Sequence, residues 1–96
     1  MTVDSSTPDK ITVTATNASN GGCNGHIKVP EGSAIQVDAK ISSGTLIIRM
    51  LKDEKEYTIN KSGESFIDVP PGEYYLMLSP KDGLTGEIIL RAAPKN

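Results

Sequence analysis

The sequence predicts an all-β fold, a seven- or eight-stranded antiparallel sandwich of the Ig-like or jelly-roll-like kind, with a small barrel as the alternative. Three observations predict it. Apolar and polar residues alternate with period two in one window after another, no window keeps an apolar stripe at helical spacing for three turns, and turn formers recur about every 8 to 12 residues. The 96 residues suffice for one hydrophobic core and not for two, given a usual domain size of about 100 to 150 residues. Residues 1–9 read as a flexible polar N-terminal segment and residues 10–94 as a single β-sandwich domain.

The elements follow in order. In KITVTAT, Ile11, Val13 and Ala15 share one face and Thr12, Thr14 and Thr16 the other, the pattern of a half-buried strand. NASNGGCNG then reads as a turn, because Asn20-Gly21 and Asn24-Gly25 both favour positive φ. HIKV is a short strand with Ile27 and Val29 inward. AIQVDAKI gives the cleanest alternation, Ile35, Val37, Ala39 and Ile41 against Gln36, Asp38 and Lys40, and SSG breaks it. TLIIRML is nearly continuously apolar and resembles a central strand whose outer face carries Ile47, Arg49 and Leu51.

KDEKE reads as a charged hairpin tip. EYTIN and SFIDV read as a hairpin around KSGE, with a glycine in the loop. VPPGE is the strongest turn signal: Pro71 presets φ and Gly72 supplies the positive φ of a type II turn. EYYLMLS rises from it, PKDGLTG turns the chain, and EIILRAA is the last strand, ended by Pro94.

Composition excludes several classes. Ten basic and twelve acidic residues give a net charge of −2 with no basic cluster interleaved with aromatics, which argues against nucleic-acid binding. No apolar run approaches the roughly 18 residues of a membrane span, and MTVDSSTPDK has neither the basic nor the apolar region of an export signal. One cysteine cannot make an internal disulfide. The Thr, Ser and Asn richness of residues 2–20 suits an extracellular or cell-envelope protein, with the cytoplasm as the alternative.

FIDVPPGEYYLML, residues 66–78, resembles the turn and strand that end many bacterial secreted or cell-surface β-sandwich accessory domains. The order AIQVDAKI, GTLIIRML and TGEIIL is similar to the pre-peptidase C-terminal type, over residues 33–93. The acidic Asp-Leu-Asp sort of segment that such domains often carry reads TLIIRML here, a departure that bears on any calcium or carbohydrate role. The resemblance implies a non-catalytic module that accompanies or follows an enzyme or surface protein.

Two groups of residues qualify as candidate sites. Cys23 and His26, the only cysteine and histidine, could form a nucleophile with its base or part of a metal site. A zinc cage needs four ligands and a dyad needs a third orienting group, however, and the plain reading is a turn between the first two strands. No nucleophile elbow, H-E-x-x-H, phosphate loop or calcium loop appears, and Asp68 and Glu73 read as solvated carboxylates, so the expectation is a non-enzyme with no cofactor and no metal.

The second group comes from strand parity. If Tyr74, Leu76 and Leu78 point inward, Tyr75 and Met77 point outward, and Phe66, Ile89 and Arg91 join them in an exposed patch should their strands be neighbours. The competing reading is a sheet covered on both sides, or one strand with its faces reversed. Tyr74, beside Pro71 and Gly72, reads as a structural tyrosine corner, ring inward and hydroxyl on a backbone group. The expected function is protein contact or support of a larger assembly, by way of a protein partner or neighbouring domain. A carbohydrate-binding module using Tyr75 and Phe66 is the alternative, and a small enzyme or metal site at Cys23 and His26 the last.

Overall fold

The computed structural model describes residues 1–52 and 54–94. It is all-β, with seven strands: β1 (Thr2–Thr7), β2 (Lys10–Ala18), β3 (Cys23–Val29), β4 (Ser33–Met50), β5 (Glu56–Ile59), β6 (Gly63–Ile67) and β7 (Gly72–Pro94). All pairings are antiparallel, in the order β1-β2-β7-β4-β5, with β3 added to β7 and β6 added to β4. The sheet is not closed into a barrel.

Two long strands turn this one sheet into two layers. In the first, residues 86–91 of β7 lie between β2 and residues 36–41 of β4, with β1 and β6 at the edges. In the second, residues 76–78 of β7 lie between β3 and residues 48–50 of β4, with β5 beyond. The inward residues of both layers meet in one core. Ile11, Val13, Ile35, Ile88 and Leu90 come from the first layer and Ile27, Leu46, Ile48, Leu76 and Leu78 from the second, and all are fully buried. Each such side chain contributes about 1.5–3 kcal/mol by leaving water.

The sequence predicts separate strands at 34–41 and 45–51, and again at 73–79 and 87–93. Each pair is one strand in the structure. SSG and PKDGLTG do not reverse the chain; they face each other across β4 and β7 and bend both together. The register shifts between Ile41 and Ser43 and again between Ser43 and Thr45, and Gly44 (φ 79°), Asp82 (φ 59°) and Gly83 (φ 71°) carry the bend in positive φ. Ser43 Oγ donates to the Gly83 carbonyl at 2.8 Å and Ser42 Oγ to the Thr85 carbonyl at 3.2 Å, which occupies carbonyls that the distorted ladder leaves over. Two breakers at the same level thus share one bulge.

Three other expectations change. β5 and β6 are not a hairpin: β5 pairs with the second half of β4 and β6 with the first half, so KSGE carries the chain from one layer to the other. Residues 1–9 contain β1, with Val3 opposite Val13 and packed against the core, a strand with too few apolar positions to show period two. Ser6 N donates to Asp4 Oδ1 at 3.0 Å, and this bond holds the Asp4 carboxyl below its ordinary pKa. Finally, Gly72 has φ 151° and stands in register with Val29, so it opens β7 as a paired strand residue, far from the roughly +80° corner of a type II turn. The KDEKE tip joins β4 to β5 through a Met50 N to Lys55 O bond of 2.8 Å; its Asp53 lies outside the described residues.

Candidate functional site

Cys23 and His26 lie on β3, where the sequence reading places a turn. The tight part of the connection is shorter, with Gly21 at φ 84°, while Asn24 and Gly25 are paired with Met77 and Leu76 of β7. Residues three apart on a strand point to opposite faces. Cys23 accordingly shares the inner face with buried Gly25, Ile27 and Val29, and His26 shares the outer face with Asn24 and Lys28. The thiol and the imidazole cannot act on one substrate or hold one ion together. Among the described residues no three of His, Cys, Asp and Glu converge as metal ligands would.

The five residues of the expected patch separate in the same way. Phe66 stands opposite Gln36, which stands opposite Arg91, and Ile89 lies one step along the strand, so these three face out from the first layer. Arg91 Nε donates to Gln36 Oε1 at 3.2 Å, and with Phe66 and Arg91 on either side Gln36 is buried although it faces outward. Tyr75 and Met77 face out from the second layer, on the far side of the core. Which half of β4 receives β6 and which receives the start of β7 decides this, and local alternation is silent on it. Phe66 and Tyr75 therefore form no common stacking surface for a sugar.

The second outer face is the more developed of the two. Tyr75 is 57% exposed and stands in register with His26, their ring centroids 4.7 Å apart and the planes tilted by 32°. His26 Nε2 lies 3.5 Å from Glu73 Oε2. That nitrogen is shielded from solvent and makes no hydrogen bond, so the contact with Glu73 is a close approach and not a formed bond. Leu51, 47% exposed, is tied to the same strand by its N–H to the Tyr75 carbonyl at 3.1 Å. Met77 stands opposite Arg49, with Glu56 beyond. The result is an apolar centre of Tyr75, Leu51 and Met77 ringed by Lys28, Glu73, Arg49 and Glu56.

Parity could have placed His26 on this face from sequence, since it shares that of Lys28 and opposes Ile27 and Val29. Its partner across the ladder, Tyr75, needed the β3–β7 register.

Tyr74 points the other way. It is buried, its hydroxyl donates to the Pro70 carbonyl, and Lys52 Nζ lies 5.3 Å from the ring centroid. Pro71 is exposed beside this contact. A Tyr74→Phe variant keeps the ring and leaves the Pro70 carbonyl to water, for an expected loss of about 1 kcal/mol in a urea titration.

Two small hollows lie among the described residues. One of about 220 Å³ is lined by residues 58–65 and Ala39, and one of about 170 Å³ by Asp4, Ser6, Thr7, Lys10 and Thr12. Both fall below the roughly 300–1,000 Å³ of small-molecule pockets. Among the described residues no helix is long and apolar enough to cross a membrane. Compared with known proteins, the chain matches no family model, no curated protein and no solved structure.

Proposed function

We propose that the chain is a non-catalytic β-sandwich module that contacts another protein through the outer face of its second layer, within an extracellular or cell-envelope assembly. The observation that carries this reading is the exposure of Tyr75 on a central strand that is laddered on both sides and braced by the His26 ring. An aromatic held this way gives up little conformational freedom when it is covered, and an apolar centre with a charged rim is the make-up of a protein contact. The polar composition of residues 2–20 supports the extracytoplasmic part.

The test is site-directed photo-cross-linking in the native host, with the reactive side chain at position 75 or, as control, at position 66. Cross-links to a protein from position 75 only, lost on Met77→Lys while the circular dichroism spectrum and thermal midpoint hold, are expected. Equal yield from position 66, or none from position 75, overturns the reading. Loss of folding in Met77→Lys would show Met77 to be a core residue, and Leu51→Lys, at an exposed position of the same face, then takes its place with the reactive side chain still at position 75.

A further inference from the structure

The sequence contains two Asn-Gly dipeptides four residues apart, Asn20-Gly21 and Asn24-Gly25, and the fold treats them oppositely. Asn20 and Gly21 are exposed in the connection from β2 to β3, and no hydrogen bond among the described residues holds either one. Gly21 has φ 84°, and a Cβ built on it would meet nothing within 4 Å. Asn24 and Gly25 sit in the β3–β7 ladder, in register with Met77 and Leu76. Gly25 is buried, with Ile11 Cδ1 2.9 Å from where a Cβ would stand.

The structure assigns Asn20 as a site of spontaneous deamidation, with Asn24 protected by its strand. The Gly21 backbone nitrogen attacks Asn20 Cγ; the new N–Cγ bond forms, the Cγ–Nδ2 bond breaks and ammonia leaves, closing a five-membered succinimide. Water then opens the ring. Addition at Cγ breaks the new bond and leaves an ordinary aspartyl residue in place of Asn20, whereas addition at the Asn20 main-chain carbonyl breaks the original peptide bond and yields an isoaspartyl link through Cγ. No electrons are transferred and water is the only co-reactant.

The attack requires the glycine nitrogen to swing under the carboxamide. Glycine permits that swing because it has no side chain to block the approach and a wide choice of φ. At Gly21 the surroundings leave room for it. At Gly25 the swing must first break the ladder, so reaction there waits on local opening of β3.

The connection runs close to β7 on either side of Asn20. Gly83 N donates to Ser19 Oγ at 2.9 Å, and a Cβ on Gly22 would stand 3.1 Å from Met77 Sδ. The added carboxylate, or the extra backbone carbon of the isoaspartyl form, therefore enters between the β7 bulge and the border of the second outer face.

The experiment incubates the folded chain at mildly alkaline pH and follows the tryptic peptide 11–28 by mass spectrometry, with fragmentation to locate the amide-to-acid mass gain and carboxyl methylation to register isoaspartate. Asn20 is expected to convert more than about tenfold faster than Asn24, the factor set by an opening free energy above about 1.4 kcal/mol for β3. In denaturant the two should convert at comparable rates, and Gly21→Ala should slow Asn20 alone. Conversion of Asn24 as fast as Asn20 in the folded chain overturns the assignment, as does an unchanged Asn20 under conditions where the denatured chain reacts.

Discussion

A Gly44→Ala variant is expected to lose more than about 3 kcal/mol of stability, and to be largely unfolded if the parent stands near the lower end of the 5–15 kcal/mol usual for domains. Two costs combine. Gly44 has φ 79°, a conformation that costs an L-residue with a Cβ about 1–2 kcal/mol. The added carbon would also lie 2.4 Å from both Cα and N of Leu84 and 2.7 Å from the Gly83 carbonyl carbon. Those are backbone atoms, so relief requires β4 and β7 to separate at the bend. Gly86 is the second clamp: it has φ 148°, and a Cβ there would stand 2.1 Å from the Lys40 carbonyl oxygen. Urea unfolding followed by circular dichroism measures both variants. A Gly44→Ala midpoint within error of the parent would show that the two strands part easily at this level.

The second large effect is Ile88→Ala, expected to cost about 3–4 kcal/mol within the 2–5 kcal/mol range of buried Ile or Leu truncations. Ile88 is fully buried and lies between Val13 of β2 and Ala39 of β4. Alanine on one side cannot reach into the void, and the ladders on both sides hold the strands from closing on it, so the cavity persists. The outward neighbour supplies the contrast: Ile89 is only partly buried, and its truncation should cost less than half as much. Equal losses at 88 and 89 would mean that the first layer is covered on both faces.

Most of the strand content can be read from alternation, and the reason is physical. Burial of one face imposes period two directly, so Ile11, Val13, Ile35, Val37, Leu46 and Ile48 announce their orientation before any partner is known. Pairing is not local in the same way. Nothing in KSGE distinguishes a hairpin from a crossing between layers, and nothing in SSG or PKDGLTG tells that each will meet the other. Those two facts separate Phe66 from Tyr75 and join β4 and β7 into continuous strands. The Cys23 and His26 question turns on assignment of their segment alone: read as a loop the residues could meet, read as a strand they oppose each other.

The shared ribbon of β4 and β7 also bears on how the chain acquires its structure. β7 follows every strand it pairs with, and β2, β3 and both halves of β4 all depend on it. During synthesis the earlier strands must wait, with their apolar faces uncovered, until residues 72–94 arrive, and the long sequence separation of those pairings slows the closing step. In this interval the unpaired strand edges and uncovered apolar faces are open to wrong pairings and aggregation.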